Sequence, residues 1–587
     1  MLVFCCALTS YPNDCWLIRC DVGRVSTLST IGDLPDDDLL EIFDFCVVGH
    51  QDIVFRKLKD HDTGRKTDQE WWQSLVHVCR RWRNLVFSSP RRLNLQLFYD
   101  PRRSAWKSLD VWPALPLLIE GYVSKFTVDD VIAKLKHNDR ICQIDLDLNF
   151  DSTLQYEKLW IEMQVPFAEL ANLYLSPKLG GLSALSYVPV LPDLFLGGFA
   201  PRLRYLNLTS IPFPGLPNLI LSATHLVELC LENIPHSGYI LPEVMATCLS
   251  MLTSLEILRL EFESPQSCPD PENRRSPPLT RSILPALTEF SFKGAHEYSE
   301  DLVSRINAPR LYRLSTTFFN DIDFDTEELN QFISRTPTLG TYNEAHLFFQ
   351  SREALVRFQF QPETSDHRMV EVKILCEVQD WQLSFLTLIC TSTLRLLITM
   401  EILYIYGYSP LNWKDDYNES TEWLHLLLPF TAVKNLYLSR LFSPRIAPAL
   451  QELTEGRTME LLPALQIFYL EGFQSSKPVQ KGIAQFISAR QLTSRPVAIS
   501  VWEGLDLLLT AVRGDRLSLT RYVYPQNSFY HSQNLPPHSL VRECVAVQRR
   551  YPDDRFDIWS RLTDSGEQVW RVKCLDCFGK VRRGLLS

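Results

Sequence analysis

The sequence predicts an α/β fold in which a small N-terminal helical unit precedes a repetitive array of strands and helices. Three observations support this prediction. Two amphipathic helical segments lie near the start of the chain, an apolar hexad recurs from residue 141 onward, and the hexads are spaced widely enough for a return helix or turn. The expected divisions are a tail over residues 1–30, the helical unit over 31–92, the array over 93–500 and an extension over 501–587.

The composition is that of a globular chain too long for one compact core. The chain has 587 residues, of which 45% are hydrophobic and 22% charged. Its net charge of −10 argues against a general nucleic-acid binder, which needs a basic surface. No run of about 20 apolar residues predicts a membrane span. Residues 1–8 are apolar but lack the basic start of a signal peptide, so we expect neither feature.

Cysteine usage predicts a reducing compartment. The 15 cysteines are scattered without the regular spacing of a disulfide framework. Cys79, Cys230 and Cys390 lie in apolar periodic segments, where a free thiol behaves as a small hydrophobic side chain. Free thiols are typical of the cytosol and the nucleus, and we therefore expect a cytoplasmic or nuclear protein.

The first helical segment begins beside a proline. Leu39, Ile42, Phe43 and Cys46 follow it at i, i+3, i+4 and i+7, which places them on one face of a helix. Pro35 is tolerated at a helix start because the first N–H groups have no intrahelical partner. The three aspartates at positions 36–38 would lie at the positive end of the helix dipole.

A second apolar stripe predicts a helix that ends at residues 88–90. The members that share its face are Trp72, Leu75, Val76, Cys79, Trp82 and Val86. A polar, charged insertion over residues 48–68 separates the two segments and predicts a surface loop. Two helices of this size bury too little surface to be stable alone. Their apolar face is covered either by the rest of the chain or by a partner helix.

Three runs of residues in these segments resemble an F-box, namely Leu34-Pro35, Ile42-Phe43 and Cys79-Arg80-Arg81-Trp82. The F-box is the small helical module that docks a protein onto the Skp-type adaptor of a cullin ubiquitin ligase. The resemblance implies a chain that recruits another protein and has no catalytic centre of its own. It implies adaptor contacts from nine residues, which are Leu34, Pro35, Leu39, Ile42, Phe43, Leu75, Val78, Trp82 and Val86. Val78 lies off the apolar stripe, so its role depends on the resemblance alone. The alternative interpretation is an ordinary helical cap that closes a larger domain.

The array is predicted from an apolar-x-x-apolar-x-apolar hexad. Its clear copies begin at residues 141, 170, 203, 226, 255, 287, 311, 400, 433 and 465. Leucine-rich repeats of about 20–29 residues use this hexad as a short strand and return through a helix or 3₁₀ turn. Longer steps predict full helices, for example over residues 239–252 and 325–334. Pro448 weakens a similar pattern over residues 446–454.

Such an array forms a curved solenoid with parallel strands on its concave face. Outward strand residues would line that face, for example Arg204, Asn207, Glu228, Cys230 and Arg259. Two further hexads, over residues 355–360 and 369–374, begin too close together for two full repeats. We expect them to form a hairpin that interrupts the array.

An F-box followed by irregular leucine-rich repeats resembles the expanded F-box families of mushroom-forming fungi. Residues 431–438 and 447–453 carry the likeness best, and it extends over roughly residues 31–500. It implies the substrate-recognition subunit of an SCF-type ubiquitin ligase, in which the F-box docks on the Skp-type adaptor and cullin ligase and the repeats bind an unknown target protein. The alternative is a non-catalytic leucine-rich-repeat scaffold without ligase association.

The sequence contains no signature of an enzyme. It has no glycine-rich phosphate loop, no His-Glu-x-x-His and no Gly-x-Ser-x-Gly, so we expect no cofactor and no catalytic residue. Past residue 500 the hexads stop, and a helix over 537–550 and a strand over 569–573 are expected. Cys574 and Cys577 could supply half of a zinc site, but no His or Cys follows them. Two ordinary cysteines are therefore the favoured interpretation.

Overall fold

A computed structural model of the chain describes most of residues 34–502 and a short hairpin near the C terminus. The described ranges are 34–44, 72–90, 92–93, 95–101, 115–150, 152–177, 188–265, 280–319, 326–340, 342–360, 368–407, 419–452, 461–471, 477–492, 495–502, 556–562 and 568–574. The chain divides into two compact units, residues 1–502 and 503–587. The predicted insertion over 48–68 and the predicted helix over 537–550 lie outside the described residues.

The described part of the first unit begins with three helices. They are α1 over residues 36–44, α2 over Gln73–Val76 and α3 over Arg80–Ser88. The single helix predicted from the second apolar stripe is therefore divided at residues 77–79. Cys79 has extended backbone there, with φ −157° and ψ 169°, and its Sγ accepts a hydrogen bond from the Trp82 N–H at 3.4 Å. Cys79 is exposed and caps α3, so it does not behave as the small hydrophobic side chain that its place in the stripe predicted, whereas Cys230 and Cys390 are buried.

A sixteen-stranded, mostly parallel sheet extends through the described part of the first unit. Its strands in chain order are β1 Leu97–Tyr99, β2 Leu117–Ser124, β3 Ile141–Asn149, β4 Asn172–Pro177, β5 Tyr205–Thr209, β6 Glu228–Ile234, β7 Ile257–Phe262, β9 Glu289–Gly294, β11 Arg313–Phe319, β12 Glu344–Gln350, β13 Glu353–Gln359, β14 Met369–Leu375, β15 Ile402–Gly407, β16 Asn435–Leu438, β17 Ile467–Glu471 and β18 Ala498–Trp502. Two short strands, β8 Ser282–Ile283 and β10 Ile306–Asn307, pair separately in parallel.

Helices connect successive strands of this sheet. They are α4 Val128–Leu135, α5 Thr153–Glu162, α6 Leu216–Ile220, α7 Pro242–Ser250, α8 His296–Arg305, α9 Glu327–Arg335, α10 Gln379–Ser392, α11 Leu394–Leu397, α12 Glu419–Leu427, α13 Ser443–Glu452 and α14 Lys477–Leu492, with 3₁₀ turns at Phe195–Gly198, His236–Gly238 and Pro337–Leu339. Many successive helices contact one another, as α8 does α9 and α13 does α14. Among the described helices, none combines the length and the apolarity that crossing a bilayer requires.

Each of the ten predicted hexads contains a strand. In the copy at residue 203, strand β5 begins two residues into the hexad, and Leu203, Leu206 and Leu208 are at most 1% exposed. Alternate residues of a strand face opposite sides, so the apolar residues of the hexad enter the core while the intervening ones face outward. The predicted mixed α/β fold with parallel strands is confirmed at this level.

The irregular region between the seventh and eighth hexads is an antiparallel meander within the parallel sheet. Strand β13 pairs antiparallel with both β12 and β14, which confirms the predicted hairpin. Strand β14 pairs in parallel with β11, and β12 pairs in parallel with β15. The meander interrupts the parallel order of the repeats, as expected, because the strands follow the spatial order β11-β14-β13-β12-β15. The sheet itself continues, since β14 and β12 run parallel to the repeat strands on either side.

The return helices follow the predictions with shifted ends. The pattern over residues 239–252 gives α7, which begins at Pro242, and the pattern over 325–334 gives α9. The helix weakened by Pro448 forms as α13, with that proline inside it. Ile446 and Leu450 of α13 are fully buried, so tertiary packing outweighs the lost backbone hydrogen bond.

A continuous hydrophobic core extends from Leu39 in α1 to Val497 before β18. The helical unit therefore belongs to the same core as the sheet. In the second unit, β19 Phe556–Leu562 pairs antiparallel with β20 Gln568–Cys574, and the strand predicted over 569–573 falls within β20.

Candidate protein-interaction surfaces

Helix α3 holds the start of α1 through polar and aromatic contacts. The rings of Phe43 and Trp82 meet edge to face, with centroids 4.9 Å apart. Arg81 Nη2 donates hydrogen bonds to the Leu34 carbonyl oxygen and to Asp36 Oδ1, both at 2.6 Å, and its Nε donates to the same Oδ1 at 2.9 Å. Exposed ion pairs add little stability. The guanidinium therefore matters mainly because it orients the Leu34-Pro35 segment against α3.

The helical unit is also anchored to the chain that leads into the sheet. Trp72 is 1% exposed, and its Nε1–H donates to the Gln96 carbonyl oxygen at 3.0 Å. Its ring meets Phe87 of α3 at 5.9 Å. Arg83 Nε donates to the Val76 carbonyl oxygen at 3.0 Å and so bridges the break between α2 and α3. These contacts fix the orientation of the unit at the β1 edge of the sheet.

Five of the nine residues expected at the adaptor are buried within this chain. Leu39, Phe43, Leu75, Trp82 and Val86 are at most 5% exposed. They form the core of the helical unit, so in this conformation they offer no surface to another protein. This revises the set of contacts implied by the F-box resemblance, because a side chain enclosed by its own chain acts on a partner only indirectly.

The other four residues remain accessible to different degrees. Pro35 is exposed, Ile42 is 36% exposed, Val78 is 43% exposed and Leu34 is half-buried. Pro35 lies immediately before α1, and Ile42 lies within it. Val78 lies in the break before α3, three residues from Arg81. We call Pro35, Ile42 and Val78 the docking surface.

The sequence did not indicate the rotation of α1 that frees Ile42. Leu40 was not part of the predicted stripe, yet it is only 7% exposed. The buried face of α1 therefore comprises Leu39, Leu40 and Phe43 instead of including Ile42. The adjacent Leu39-Leu40 pair was the only local sign, since either leucine could have faced the core.

A second surface is the face of the sheet formed by the outward strand residues. In β3, Ile144 and Leu146 are fully buried, whereas the alternate residues Asp145 and Asp147 are half-buried. The strand register aligns such outward residues into a central column, which runs Glu120, Asp145, Tyr174, Asn207, Cys230, Arg259, Ser291, Ser315, Glu371, Arg357, His346, Tyr404, Tyr437, Tyr469 and Ser500. We call the side of the sheet that carries this column the polar face.

Cys230 behaves differently from its predicted role on this face. It stands in register between Asn207 and Arg259, as expected for an outward residue. It is nevertheless fully buried, and its Sγ donates to Glu228 Oε1 at 3.3 Å. Burial, followed by the Glu228 charge, raises the pKa of the thiol well above its ordinary value. Cys230 is therefore an unreactive thiol that packs beneath its charged neighbours.

One end of the polar face is acidic. Glu120, Asp145 and Asp147 lie on the adjacent strands β2 and β3, and Asp100 follows β1. Burial, with added repulsion from Asp145 and Asp100, raises the pKa of Glu120 to about 7. The fold thus holds carboxyl groups close together at a cost in electrostatic free energy. Protonation or a nearby cation lowers that cost.

The middle of the polar face is occupied by internal ion pairs. Arg357 donates to Glu371 Oε2 from Nε at 2.8 Å and from Nη2 at 2.5 Å. Ser315 Oγ donates to Glu371 Oε1 at 3.3 Å. Because Glu371 is largely buried, these donors compensate for the lost hydration of its carboxylate.

Stacked rings extend from the middle towards the last strand. His346 stacks on Tyr404 at 4.5 Å, Tyr404 on Tyr437 at 4.5 Å and Tyr437 on Tyr469 at 4.1 Å. The four residues come from neighbouring strands of the sheet, β12, β15, β16 and β17. We call them the ring column. Burial lowers the pKa of His346 despite its hydrogen bond with Glu344, so the imidazole is neutral and stacks as an aromatic ring.

Metal ligands do not cluster in the part of the chain that the structure describes. No group of three or more His, Cys, Asp or Glu side chains there is arranged to hold a metal ion. The predicted Cys574 and Cys577 pair lies outside the residues whose side chains are described.

Comparison with known proteins does not assign the chain to a family. No protein-family model matches it, and no curated protein matches it either. Evidence on function therefore comes from the docking surface, the polar face and the sequence pattern.

Proposed function

We propose that this chain is the substrate-recognition subunit of an SCF-type cullin ubiquitin ligase. The helical unit would dock on the Skp-type adaptor, and the polar face, which corresponds to the predicted concave face of the repeats, would hold a target protein. The observation that carries the proposal is the exposed apolar set Pro35, Ile42 and Val78 on a helical unit whose sequence resembles an F-box.

The physical case for a partner begins with the docking surface. Full burial of a branched apolar side chain contributes about 1.5–3 kcal/mol. Ile42 and Val78 retain much of that gain for a partner because each is more than a third exposed. Exposed apolar side chains on a helical unit are typical contacts for a groove or helix of a second protein. Arg81 fixes the Leu34-Pro35 segment in advance, which lowers the entropic cost of docking.

The physical case for a target rests on the polar face. It combines an acidic end, internally compensated ion pairs and a column of stacked rings along one sheet. Tyrosine and arginine side chains such as those on this face are among the residues that contribute most at protein interfaces. Trp72 anchors the helical unit to the β1 end of the sheet, so a bound adaptor and a bound target would be held at a fixed separation.

A second candidate function is favoured by the burial of five expected contact residues. Leu39, Phe43, Leu75, Trp82 and Val86 are enclosed as expected for a cap that covers the end of a repeat array. In this interpretation the chain is a non-catalytic scaffold, and the exposed Ile42 and Val78 are isolated surface residues without a function.

Capture of purified Skp-type adaptor by the full-length chain distinguishes the two functions. We expect Ile42→Asp and Val78→Asp each to weaken capture at least tenfold, because a buried unpaired carboxylate opposes docking. The matched control is Ile161→Asp, a 63% exposed isoleucine on α5, which should leave capture unchanged. Circular dichroism confirms folding of each variant. If the folded wild-type chain captures no adaptor, the scaffold function is correct.

A further inference from the structure

Exposed apolar side chains lie along the turns that lead into five neighbouring strands. Strands β4, β5, β6, β7 and β9 are adjacent in the sheet. In the turn before each strand, an apolar residue stands four or five positions ahead of the first residue of the hexad. These residues, with their exposed fractions, are Val165 (40%), Phe199 (48%), Leu221 (64%), Met251 (48%) and Ile283 (59%). We call them the turn row.

The turns that carry the row share one backbone geometry and contact one another. In each, the N–H of the first hexad residue donates to the carbonyl oxygen three residues earlier, at 3.1 to 3.4 Å. Hydrogen bonds also join neighbouring turns. The Leu196 N–H donates to the Met163 carbonyl oxygen at 2.7 Å, and the Ala200 N–H donates to Ser222 Oγ at 3.1 Å. The strand register and these bonds hold the turns side by side, so the exposed apolar residues are neighbours.

The turn row has a polar boundary at each end. In the turn before β3, the corresponding positions are Lys136 and His137, both exposed. In the turn before β11, they are the buried Ile306 and the polar Asn307. The turns before β4 to β7 lie wholly within the described residues. Single exposed apolar residues are normal, but apolar residues aligned over successive turns form the kind of patch that marks a binding surface.

The backbone of these turns favours a helix over an extended segment as the occupant. The N–H groups of Phe199, Ser222 and Met251 already donate to carbonyl oxygens of this chain, each at 3.1 Å. They therefore offer no hydrogen bonds to an added strand, whereas the backbone bonds of a helix are internal. An apolar helix face repeats about every 5.4 Å, close to the spacing of about 4.8 Å between neighbouring strands. Successive turns of one helix can thus meet successive members of the turn row.

The charges beside the turn row favour a basic helix. The segments that lead into the turns before β4 to β7 are residues 153–162, 188–199, 214–221 and 239–251. Lys158, their one basic residue, pairs with Asp129 at 3.7 Å. On the strand side of the row, Glu169 and Arg202 form an ion pair. The four segments contain four carboxylates, which are the exposed Glu157 on α5, Glu162, Asp193 and Glu243. This excess of negative charge is complementary to a cationic partner.

We propose that the turn row binds an amphipathic helix of a second protein, with large apolar residues on one face and lysine or arginine beside them. Apolar residues one helical turn apart pack on successive members of the turn row, and the basic residues face Glu162 and Asp193. The turn row lies in the turns before the strands, outside the docking surface and the polar face. The inference therefore goes beyond the proposed receptor function.

Binding of labelled helical peptides to the full-length chain tests this proposal. The probe is a fluorescein-labelled peptide of about 18 residues, with leucines on one helical face and lysines elsewhere, followed by fluorescence anisotropy. One comparison peptide replaces the lysines by glutamates. The other keeps the composition but scatters the leucines around the helix. We expect the leucine–lysine peptide to bind about tenfold more tightly than either comparison peptide.

Variants of the turn row locate the bound peptide. Phe199→Ser and Leu221→Ser should each weaken binding of the leucine–lysine peptide about fivefold to tenfold, because each removes apolar contact area. The matched control is Phe126→Ser, an 83% exposed phenylalanine before α4, which should bind like the wild-type chain. Circular dichroism confirms folding. Unchanged binding by the two folded variants, or equal binding of the leucine–lysine and scattered peptides, overturns the proposal.

Two further variants address the charge of the partner. Glu162→Gln and Asp193→Asn should each weaken binding of the leucine–lysine peptide and reduce its dependence on salt. The control is Glu327→Gln, an exposed carboxylate on α9 that lies outside these segments. Equal binding of the lysine and glutamate peptides by the wild-type chain would overturn the assignment of a basic partner.

Two other occupants of the turn row give different results. Light scattering measures self-association, and a wild-type dimer that Leu221→Ser dissociates would assign the row to a second copy of this chain. Flotation with phosphatidylcholine–phosphatidylserine vesicles measures lipid binding, and binding that Leu221→Ser abolishes would assign the row to a lipid surface. Either result would overturn the proposal. None of these measurements contains the adaptor, so their outcome is independent of the receptor function.

Discussion

The carboxyl group of Glu120 shows how strand register sets the chemistry of a single residue. Nothing in its local sequence marks it as unusual. Pairing of β2 with β3 places Asp145 opposite Glu120, and burial with this repulsion raises its pKa to about 7. Because this pKa lies above the ordinary value of 4.5, the folded state binds the proton more tightly than the unfolded state does.

The raised pKa of Glu120 determines how the stability of the fold depends on pH. The favourable contribution of protonated Glu120 is fully present below about pH 4.5 and is lost as the pH rises to about 7. We expect Glu120→Gln to unfold like the wild-type chain at pH 5 and to be more stable by about 1–2 kcal/mol at pH 8. Urea unfolding at both values measures the difference, with Glu157→Gln as control. An equal effect of Glu120→Gln at both pH values would contradict this account of Glu120.

Trp82 and Val78 differ in burial although both were expected at the adaptor. Trp82 is 5% exposed and meets Phe43, whereas Val78 is 43% exposed. Trp82→Ala should destabilise the helical unit by about 3–5 kcal/mol, and Val78→Ala should change stability by less than about 0.5 kcal/mol. Hydrogen exchange of residues 36–44 and 80–88 measures both effects. Comparable losses in the two variants would show that Val78 belongs to the core.

Elements of this fold are joined by polar contacts between distant parts of the sequence. The Glu300 carboxylate in α8 accepts hydrogen bonds from the backbone N–H groups of Glu328, at 2.7 Å, and Leu329, at 3.2 Å. These groups lie in the first turn of α9, where N–H donors have no intrahelical partners. A residue of one helix therefore caps the next helix along the array.

Removal of that carboxylate should loosen α9. We expect Glu300→Ala to cost about 1–3 kcal/mol, because two backbone donors lose their acceptor and the helix dipole loses its negative partner. The control is Glu327→Gln, an exposed acidic residue in the first turn of the same helix. Faster hydrogen exchange in α9 for Glu300→Ala alone is the expected result. Equal exchange in both variants would show that the cap contributes nothing.

An element could be predicted when the residues that determine it lie close together in the sequence. The hexad strands could be predicted because six consecutive residues already show the alternation of apolar and polar side chains that a half-buried strand requires. Strand β12 was missed because six of its seven residues are buried, so no alternation marks it. The break between α2 and α3 was missed because Cys79 continues the apolar spacing while its backbone turns to cap α3.

The candidate surfaces were less predictable than the strands. The pattern predicted that Asn207, Cys230 and Arg259 share one face, and the register confirms this. It did not predict the ring column. Tyr404, Tyr437 and Tyr469 occupy the fifth position of three successive hexads, which was the signal in the sequence for their alignment. His346 joins them only through the meander. Likewise, which expected adaptor contacts are buried depends on packing between α1, α3 and the sheet, which the sequence periodicity does not specify.

At the scale of the whole molecule, the helical unit and the sheet share one core. Trp72 contributes a polar contact between them by donating to the Gln96 carbonyl oxygen. Trp72→Phe should therefore weaken the attachment of the unit by about 1 kcal/mol, seen as faster hydrogen exchange in α1 to α3. Trp160→Phe is the control, because the Nε1–H of Trp160 donates to the Pro189 carbonyl oxygen at a distant site. Unchanged exchange in Trp72→Phe would mean that apolar packing alone attaches the unit.

The central claim is that the docking surface is completed by a second polypeptide. Hydrogen exchange of the full-length chain with and without purified Skp-type adaptor measures this directly. The account predicts slower exchange over residues 36–44 and 77–80 in the complex, with α5 unchanged. Adaptor that leaves these segments unaffected, or that protects only residues elsewhere, would contradict it.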